Sequence, residues 1–281
     1  MPRKLEGQQT SAQLELEALV EKASKGDRDA LCELCEKIAK SILFQVTYIL
    51  GNPAGVEDVS QEVLIRVCEN IHNLRSPKAF KSWLSRIIIN EKNRYLAKNM
   101  RQGDVLNIDD YLEKANEESE DFIPQEYVEN RELREKVREI IMELPMRQRE
   151  AVILHYYDGL SVTEIAKVLE VATQSVSKNL AIARGKLKKE LGLHLREEGH
   201  MDSMAMLPFG AALGEILYRE CANLAMGEAY IQGFLAKWGQ QAIANSTPIT
   251  SMLSAAPDVY GALAGVCATV FAAAAVVRVR K

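Results

Sequence analysis

Cysteine, histidine, proline and the aromatics are all scarce in this chain of 281 residues, and each shortage removes a class of protein. The five cysteines stand at 32, 35, 68, 221 and 267. They are few and odd in number, which argues against a disulfide framework and for a reducing cytoplasm. Four histidines, at 72, 155, 194 and 200, are too scattered to suggest an active site. There is no glycine-rich phosphate loop, no serine–histidine–acid pattern and no glycine-centred nucleophile elbow. No catalytic residue and no cofactor is therefore assigned, and a non-enzymatic protein is expected. The first twenty residues carry no apolar core, so no secretory signal is expected. Strand-like alternation is missing too. Nearly every segment spaces its apolar residues with helical period, which predicts an all-α fold.

The hydrophobic fraction of 47% and charged fraction of 26% are those of a soluble globular protein. A net charge of −4 hides a strong segregation along the chain. Between Lys81 and Arg101 the basic residues are Lys81, Arg86, Lys92, Arg94, Lys98 and Arg101, against Glu91 alone. From Asp104 to Glu129 ten acids face only Lys114. Two cationic surfaces joined by a solvated tether have this pattern. The expected organisation is a lead-in over 1–26, a helical domain over 27–102 and an acidic flexible linker over 103–128. A second helical domain over 129–196 follows, then an extension over 197–256 and an apolar helix over 257–281.

Within the first domain, Asp27 or Asp29 can cap a helix running to about Leu50, with Leu31, Leu34, Ile38, Ile42, Leu43 and Val46 inward. Gly51-Asn52-Pro53 stops it. A helix from about Val56 to Ile71 faces inward with Val59, Val63, Leu64 and Val67. Ser76-Pro77 opens a third, in which Phe80, Trp83, Leu84, Ile87 and Ile88 are apolar and cations lie between them. Trp83 beside Arg86, Asn90, Lys92, Arg94 and Lys98 suits single-stranded nucleic acid, where aromatic stacking contributes roughly 1–3 kcal/mol per base. The plainer alternative is a core helix with a solvated polar face.

The segment Leu144 to Leu191 is the most informative. Ser161 with Glu164 three residues on forms a capping box. Ile165, Ala166, Val168 and Leu169 give an apolar face, and Glu170-Val171-Ala172 is a turn of the length a helix-turn-helix needs. Thr173 or Ser175 opens the next helix, with Val176, Leu180, Ala183 and Leu187 on its buried side. Thr173, Gln174, Ser175, Ser177, Lys178 and Asn179 remain for base edges and phosphates in a major groove. Arg184, Lys186, Lys188 and Lys189 add charge for a phosphate backbone. An ordinary helical hairpin with a solvated face is the competing account.

Three segments, in order, resemble the bacterial sigma-70 family, specifically the small two-domain extracytoplasmic-function class of sigma factors. GNPAGVEDVSQEVLIRVCENI is similar to the second conserved region, whose Asp-x-x-Gln-Glu core docks on the RNA polymerase clamp. FKSWLSRIIINEKNRYLAKNMR resembles the promoter-melting segment, with its Phe-x-x-Trp-Leu start and central Asn. LPMRQREAVILHYYDGLSVTEIA resembles the fourth region, which reads the upstream promoter element. The resemblance implies that Asp58, Gln61 and Glu62 contact the polymerase clamp. It implies that Phe80, Trp83 and Asn90 shape the melting segment, with Arg86, Lys92, Arg94 and Lys98 near the strand backbone. It also implies that Gln174, Ser175, Ser177 and Lys178 face bases or phosphates. RNA polymerase core and promoter DNA are the implied partners, and an anti-sigma factor is a further candidate.

Cys32, Cys35, Cys68 and His72 have ligand types that tetrahedral zinc accepts. Cys35 and Cys68 fall where the family carries large apolar residues, however, and a free cysteine is a good small core residue. No metal is assigned. The resemblance ends near Leu195. Val259 to Val277 is uncharged and about as long as a bilayer span. Its alanine content and the trailing Arg278-Val279-Arg280-Lys281 fit a span poorly, since those cations would lie outside. A membrane contact through 259–277 and a buried regulatory helix both stay open, so the expected location is the cytoplasm, with a candidate membrane association. The extension could hold the DNA-binding parts closed until a signal arrives. Two rival readings are a helix-turn-helix regulator that is not a sigma subunit and a membrane-tethered signalling protein.

Overall fold

The computed structural model describes residues 3–99, 122–124, 131–197, 206–223 and 233. Helices α1 (Arg3–Ser24), α2 (Arg28–Leu50), α3 (Val56–Asn70) and α4 (Phe80–Asn99) come first. After them come α5 (Arg131–Glu143), α6 (Met146–Val152), α7 (Val162–Leu169), α8 (Thr173–Glu197) and α9 (Phe209–Asn223). A π-helical turn, Ile153–Tyr157, continues α6. Strand β1 (Phe122–Pro124) pairs antiparallel with β2 (Met206–Pro208), Ile123 opposite Leu207. The described residues are otherwise helices and their connections, and the all-α expectation holds.

Two compact units account for the chain. Among the described residues, one takes in 3–43 and 57–80; the other takes in 44–56 and the described part of 81–224. In the first unit Asp27 Oδ1 accepts the Ala30 amide at 3.0 Å, so Asp27 rather than Asp29 caps α2. Val20 and Ala23 of α1, Leu34, Ile38, Ala39 and Ile42 of α2, and Val59, Val63, Leu64 and Val67 of α3 are buried. Each valine, leucine or isoleucine among them contributes about 1.5–3 kcal/mol on burial. Leu31 is only half-buried. Helix α1 lies against two 3₁₀ turns, Ile71–Asn73 and Pro77–Ala79.

The second unit cuts across the expected boundaries at 102 and 129. It holds Phe44–Leu50 and α4 beyond Phe80 together with α5 to α9. Phe44 explains part of this: its ring stands 4.6 Å from Tyr48 and 4.6 Å from Tyr157, centroid to centroid. From Ile42 to Leu50 the helix is buried at every position except half-buried Thr47, so this stretch has no solvent face. Leu133, Val137, Ile140 and Ile141 of α5, Ile165 of α7 and Val176, Leu180, Ala183 and Leu187 of α8 complete the core.

Three residues of the expected flexible linker, Phe122–Pro124, form β1; the rest of 103–128 lies outside the described residues. Helix α9, from the extension, packs on the π-turn. A Cβ on Gly214 would stand 3.0 Å from the Tyr156 carbonyl oxygen, so this close approach needs glycine or a slight retreat. The Tyr157 hydroxyl donates to Cys221 Sγ at 3.2 Å. Among the described residues no helix is long and apolar enough to cross a membrane, and Val259–Val277 lies outside them.

Gly55 combines a φ of +85° with the Tyr95 ring, which a Cβ would approach to 2.1 Å. Gly55→Ala is therefore expected to cost about 2 kcal/mol or more, from left-handed strain plus the clash. Gly159→Ala, at φ +75° in open space, carries only the strain of about 1 kcal/mol. Urea denaturation of both variants checks the difference, and equal losses would contradict the Tyr95 contact.

Candidate nucleic-acid interface

The start of α7 is built as its sequence predicts. Ser161 Oγ accepts the Glu164 amide at 3.3 Å, and the Ser161 amide donates to the Glu164 carboxylate at 2.9 Å. The Ser161 hydroxyl and amide hold the Glu164 carboxyl below its ordinary range. Glu170 ends the helix at φ +56°, the one non-glycine residue in the left-handed region among the described residues. The Val171 amide reaches the Ala166 carbonyl at 3.1 Å, and α8 starts at Thr173. Turning the chain within three residues sets α7 against α8, apolar faces together.

On α8, Val176, Leu180, Ala183, Leu187 and Leu191 are buried. Thr173, Gln174, Ser175, Ser177 and Lys178 are exposed on the other side. These five side chains offer hydroxyl, amide and ammonium groups to one surface. Farther along, the Arg184 guanidinium donates to the Tyr156 hydroxyl at 2.9 Å while staying exposed. Lys186 pairs with Glu143 at 3.1 Å, and Lys188 stands 5.7 Å over the Phe209 ring. The Lys186–Glu143 pair is solvent-exposed and worth about 1 kcal/mol or less, so a phosphate can displace the carboxylate.

Helix α4 departs from expectation. Arg86, Asn90, Arg94 and Lys98 are exposed, and Trp83 is half-buried. Phe80 is buried and so belongs to the core rather than to a presented surface. Arg94 takes both oxygens of Glu91, at 2.8 and 2.9 Å. Arg86 donates to the Lys167 carbonyl at 2.9 Å, near the end of α7. Lys92, expected near a strand backbone, is only 2% exposed and forms an ion pair with Glu150, whose side chain is 0% exposed. The second Glu150 oxygen accepts from Arg147 at 3.2 Å. A carboxylate 58 residues away thus turns this lysine inward.

Asp158 is buried beside the same helix. Its Oδ1 accepts from Gln45 Nε2 at 3.1 Å, and its Oδ2 lies 2.8 Å from Ser85 Oγ. Ser85 Oγ is also 2.8 Å from the Lys81 carbonyl, so one hydroxyl proton has two acceptors in reach. The Ser85 hydroxyl donates to Asp158 Oδ2, with the Lys81 carbonyl as its alternative acceptor. Burial pushes this carboxyl up to about 7, against the opposing pulls of Ser85 and the Lys81 charge. Arg149 adds a clamp: its guanidinium meets the carbonyls of Met142 and Leu144 at 3.0 Å and those of Ile49 and Leu50 at 3.4 and 3.3 Å. A Cβ at position 51 would fall 2.5 Å from Arg149 Nη2, so Gly51 at φ +68° makes room for it. None of Glu150, Asp158, Ser85 or Arg149 stands out in the sequence as a site. Polar residues interrupting the apolar run from Leu144 to Leu160 are the one signal that could have pointed to them.

In the first unit Asp58 is exposed and Glu62 half-buried on α3. Gln61 is buried and donates to Glu57 at 3.4 Å, so it packs rather than projects. Cys35 and Cys68 are buried with their sulfurs 3.5 Å apart, and the Cys68 contact together with burial pushes the Cys35 thiol up. His72 is exposed. Among the described residues no group of three or more metal-binding side chains comes together.

The Asp158 carboxyl has an ordinary value of 3.8 and sits at about 7 in the fold. The folded chain therefore holds a proton that the unfolded chain has released. The stabilising contribution is complete below 3.8 and is lost as pH rises through about 7. Asp158→Asn keeps an acceptor oxygen for Gln45 and cannot ionise at any pH. Between about pH 5.5 and about pH 8.5 the wild-type Tm is expected to fall by several degrees relative to this variant. A constant gap in thermal melts would contradict the titration.

Residues 34–102 match the family model for sigma-70 region 2, and residues 134–187 match that for sigma-70 region 4. The ECF RNA polymerase sigma-E factor of Escherichia coli strain K12 is 32% identical over 180 residues, covering 62% of this chain and 93% of that protein. The ECF RNA polymerase sigma factor SigW of Bacillus subtilis strain 168 is 28% identical over 177 residues, covering 61% and 94%. A solved structure of the sigma factor RpoE with the anti-sigma factor NepR, from Bartonella quintana, aligns with TM-score 0.42 and 20% identity, over 57% of this chain and 96% of that one. With both regions present in order, and a relative above 30% identity spanned almost end to end, the chain belongs to the extracytoplasmic-function class of the sigma-70 family, the factors that bring RNA polymerase to promoters.

Proposed function

We propose that this sigma factor grips a promoter through two helices and the polymerase through a third. Gln174, Ser175, Ser177 and Lys178, with Thr173 at the helix start, read the upstream element. Arg184, Lys186 and Lys188 follow the neighbouring phosphates. The observation that carries this reading is the polar face of α8, exposed opposite a continuous buried stripe and introduced by a tight capped turn. Trp83, Asn90, Arg86, Arg94 and Lys98 of α4 serve the melted strand, with Phe80 anchoring the start of the helix. Asp58 and Glu62, supported from beneath by Gln61, meet the polymerase clamp. The sigma factor supplies contacts and no covalent chemistry, works in the cytoplasm beside the polymerase, and has an anti-sigma factor as its remaining proposed partner.

The extension acts as a restraint in this reading. Helix α9 lies on the π-turn that joins α6 to α7, and β2 ties β1 to the same unit. Removing both loosens the domain that reads DNA.

Reconstituted run-off transcription tests the assignment. Core polymerase with the full chain initiates at target promoters, and the purified chain co-migrates with core; a chain that does neither overturns the proposal. Lys178→Ala is expected to weaken upstream-element binding and to lower the salt slope by about one. Unchanged affinity across salt concentrations would remove Lys178 from the interface. Truncation after Glu198 is expected to raise transcription from the same promoters, and equal or lower activity would refute the restraint.

A further inference from the structure

We infer that the buried Lys92–Glu150 pair is an intramolecular latch that withholds a DNA-binding cation of α4 until α4 parts from α6. The inference rests on the proposal that α4 serves the melted strand. Lys92 is the innermost of the α4 cations, and Glu150 covers it so completely that no phosphate can reach its Nζ. Two further contacts hold the same helix. The Arg86 guanidinium is engaged with the Lys167 carbonyl, and Ser85 stands at 2.8 Å from Asp158. All three lie on one stretch of α4, from Ser85 to Lys92, and all three meet the segment from Glu150 to Lys167.

The choice of residues argues for a latch rather than a permanent joint. An apolar pair of the same volume would hold α4 at least as well, because it avoids desolvating two charges. Burying an ammonium is useful where the contact must also come apart. Once separated, both halves are hydrated, whereas a parted apolar contact would leave two greasy surfaces in water. A phosphate can then take the place of the Glu150 carboxylate as the counter-anion of Lys92. Glu150 and DNA therefore compete for one cation, and the closed form keeps that cation from the nucleic acid.

The test uses the full chain, without polymerase, and a single-stranded DNA oligonucleotide as probe. Binding is read by fluorescence anisotropy, and amide exchange across α4 and α6 by mass spectrometry. Glu150→Gln is expected to bind about tenfold tighter than wild type and to exchange faster across α4 in the absence of DNA. The pair Lys92→Met with Glu150→Met refills the site with apolar volume but removes the cation, and is expected to bind no tighter than wild type and to exchange no faster. Wild-type affinity and wild-type exchange in Glu150→Gln would overturn the latch. If Glu150→Gln loses helix content, the wild-type chain decides: adding oligonucleotide should speed exchange in 146–152, and slower or unaltered exchange there overturns the inference. Failure of the underlying function reading looks different. No form of the chain would bind the oligonucleotide at low salt, while the exchange of DNA-free Glu150→Gln would still report the latch.

Discussion

An ammonium group is stable out of water only beside an anion, and this condition organises the larger unit of the protein. Lys92 has no buried carboxylate partner on its own helix; the one it uses is 58 residues further along the chain. That single requirement holds α4 to α6, whatever the apolar residues around it contribute. Glu150 in turn accepts from Arg147, so the acid has two donors and a fixed orientation. Replacing either partner with a residue of the wrong polarity leaves an uncompensated charge, which costs more than the contact gives.

Two neighbouring arrangements serve the same joint by different means. Arg149 gathers four carbonyls from the ends of α2 and α5, groups that a helix C-terminus leaves without intrahelical partners. Burial weakens its hold on its proton, but an arginine remains charged even so. Asp158 is a buried carboxyl whose pKa burial raises to about 7, and it accepts from Gln45 and from Ser85. One ion pair, one cation on carbonyl dipoles and one buried carboxyl thus bind the end of α2 and the middle of α4 to the helix-turn-helix unit. Each answers the same problem, how to bury a charged or titratable group beside groups that offset its desolvation.

How much of this was legible in the sequence depends on how local the determining contact is. The helix-turn-helix was legible almost residue by residue, because its capping box spans four residues and its apolar stripe repeats every three or four. The end of α2 was readable for the same reason, in Gly51-Asn52-Pro53. The fate of the α4 cations was not. Lys92 and Lys98 look alike in sequence and carry the same ordinary charge, yet one is buried and the other exposed. The difference comes from Glu150, which in sequence reads as one more acid in MRQREAV. Gln61 shows a milder form of the same limit: its neighbours Asp58 and Glu62 face solvent to different degrees, and the helix period turns Gln61 under them. Cys35 and Cys68 were read as core residues, and both are buried in contact with each other.

On the proposal that α4 serves the melted strand, the joint between α4 and the helix-turn-helix also bears on why this core is partly polar. A helix that must sometimes carry cations to a phosphate backbone cannot be made wholly apolar on its hidden side. It can only be given partners that compete with phosphate. The cheapest partner is another anion of similar size, placed where the helix rests when no DNA is present. Lys92 facing Glu150 meets that description, and Arg86 facing a carbonyl is a weaker version of it. Lys98 is exposed to water, and Arg94, also exposed, already has the Glu91 carboxylate on its own helix. Whether a given cation of α4 is sheltered or open thus follows from its depth in the closed unit, and depth, unlike charge, is set by residues far away in the chain.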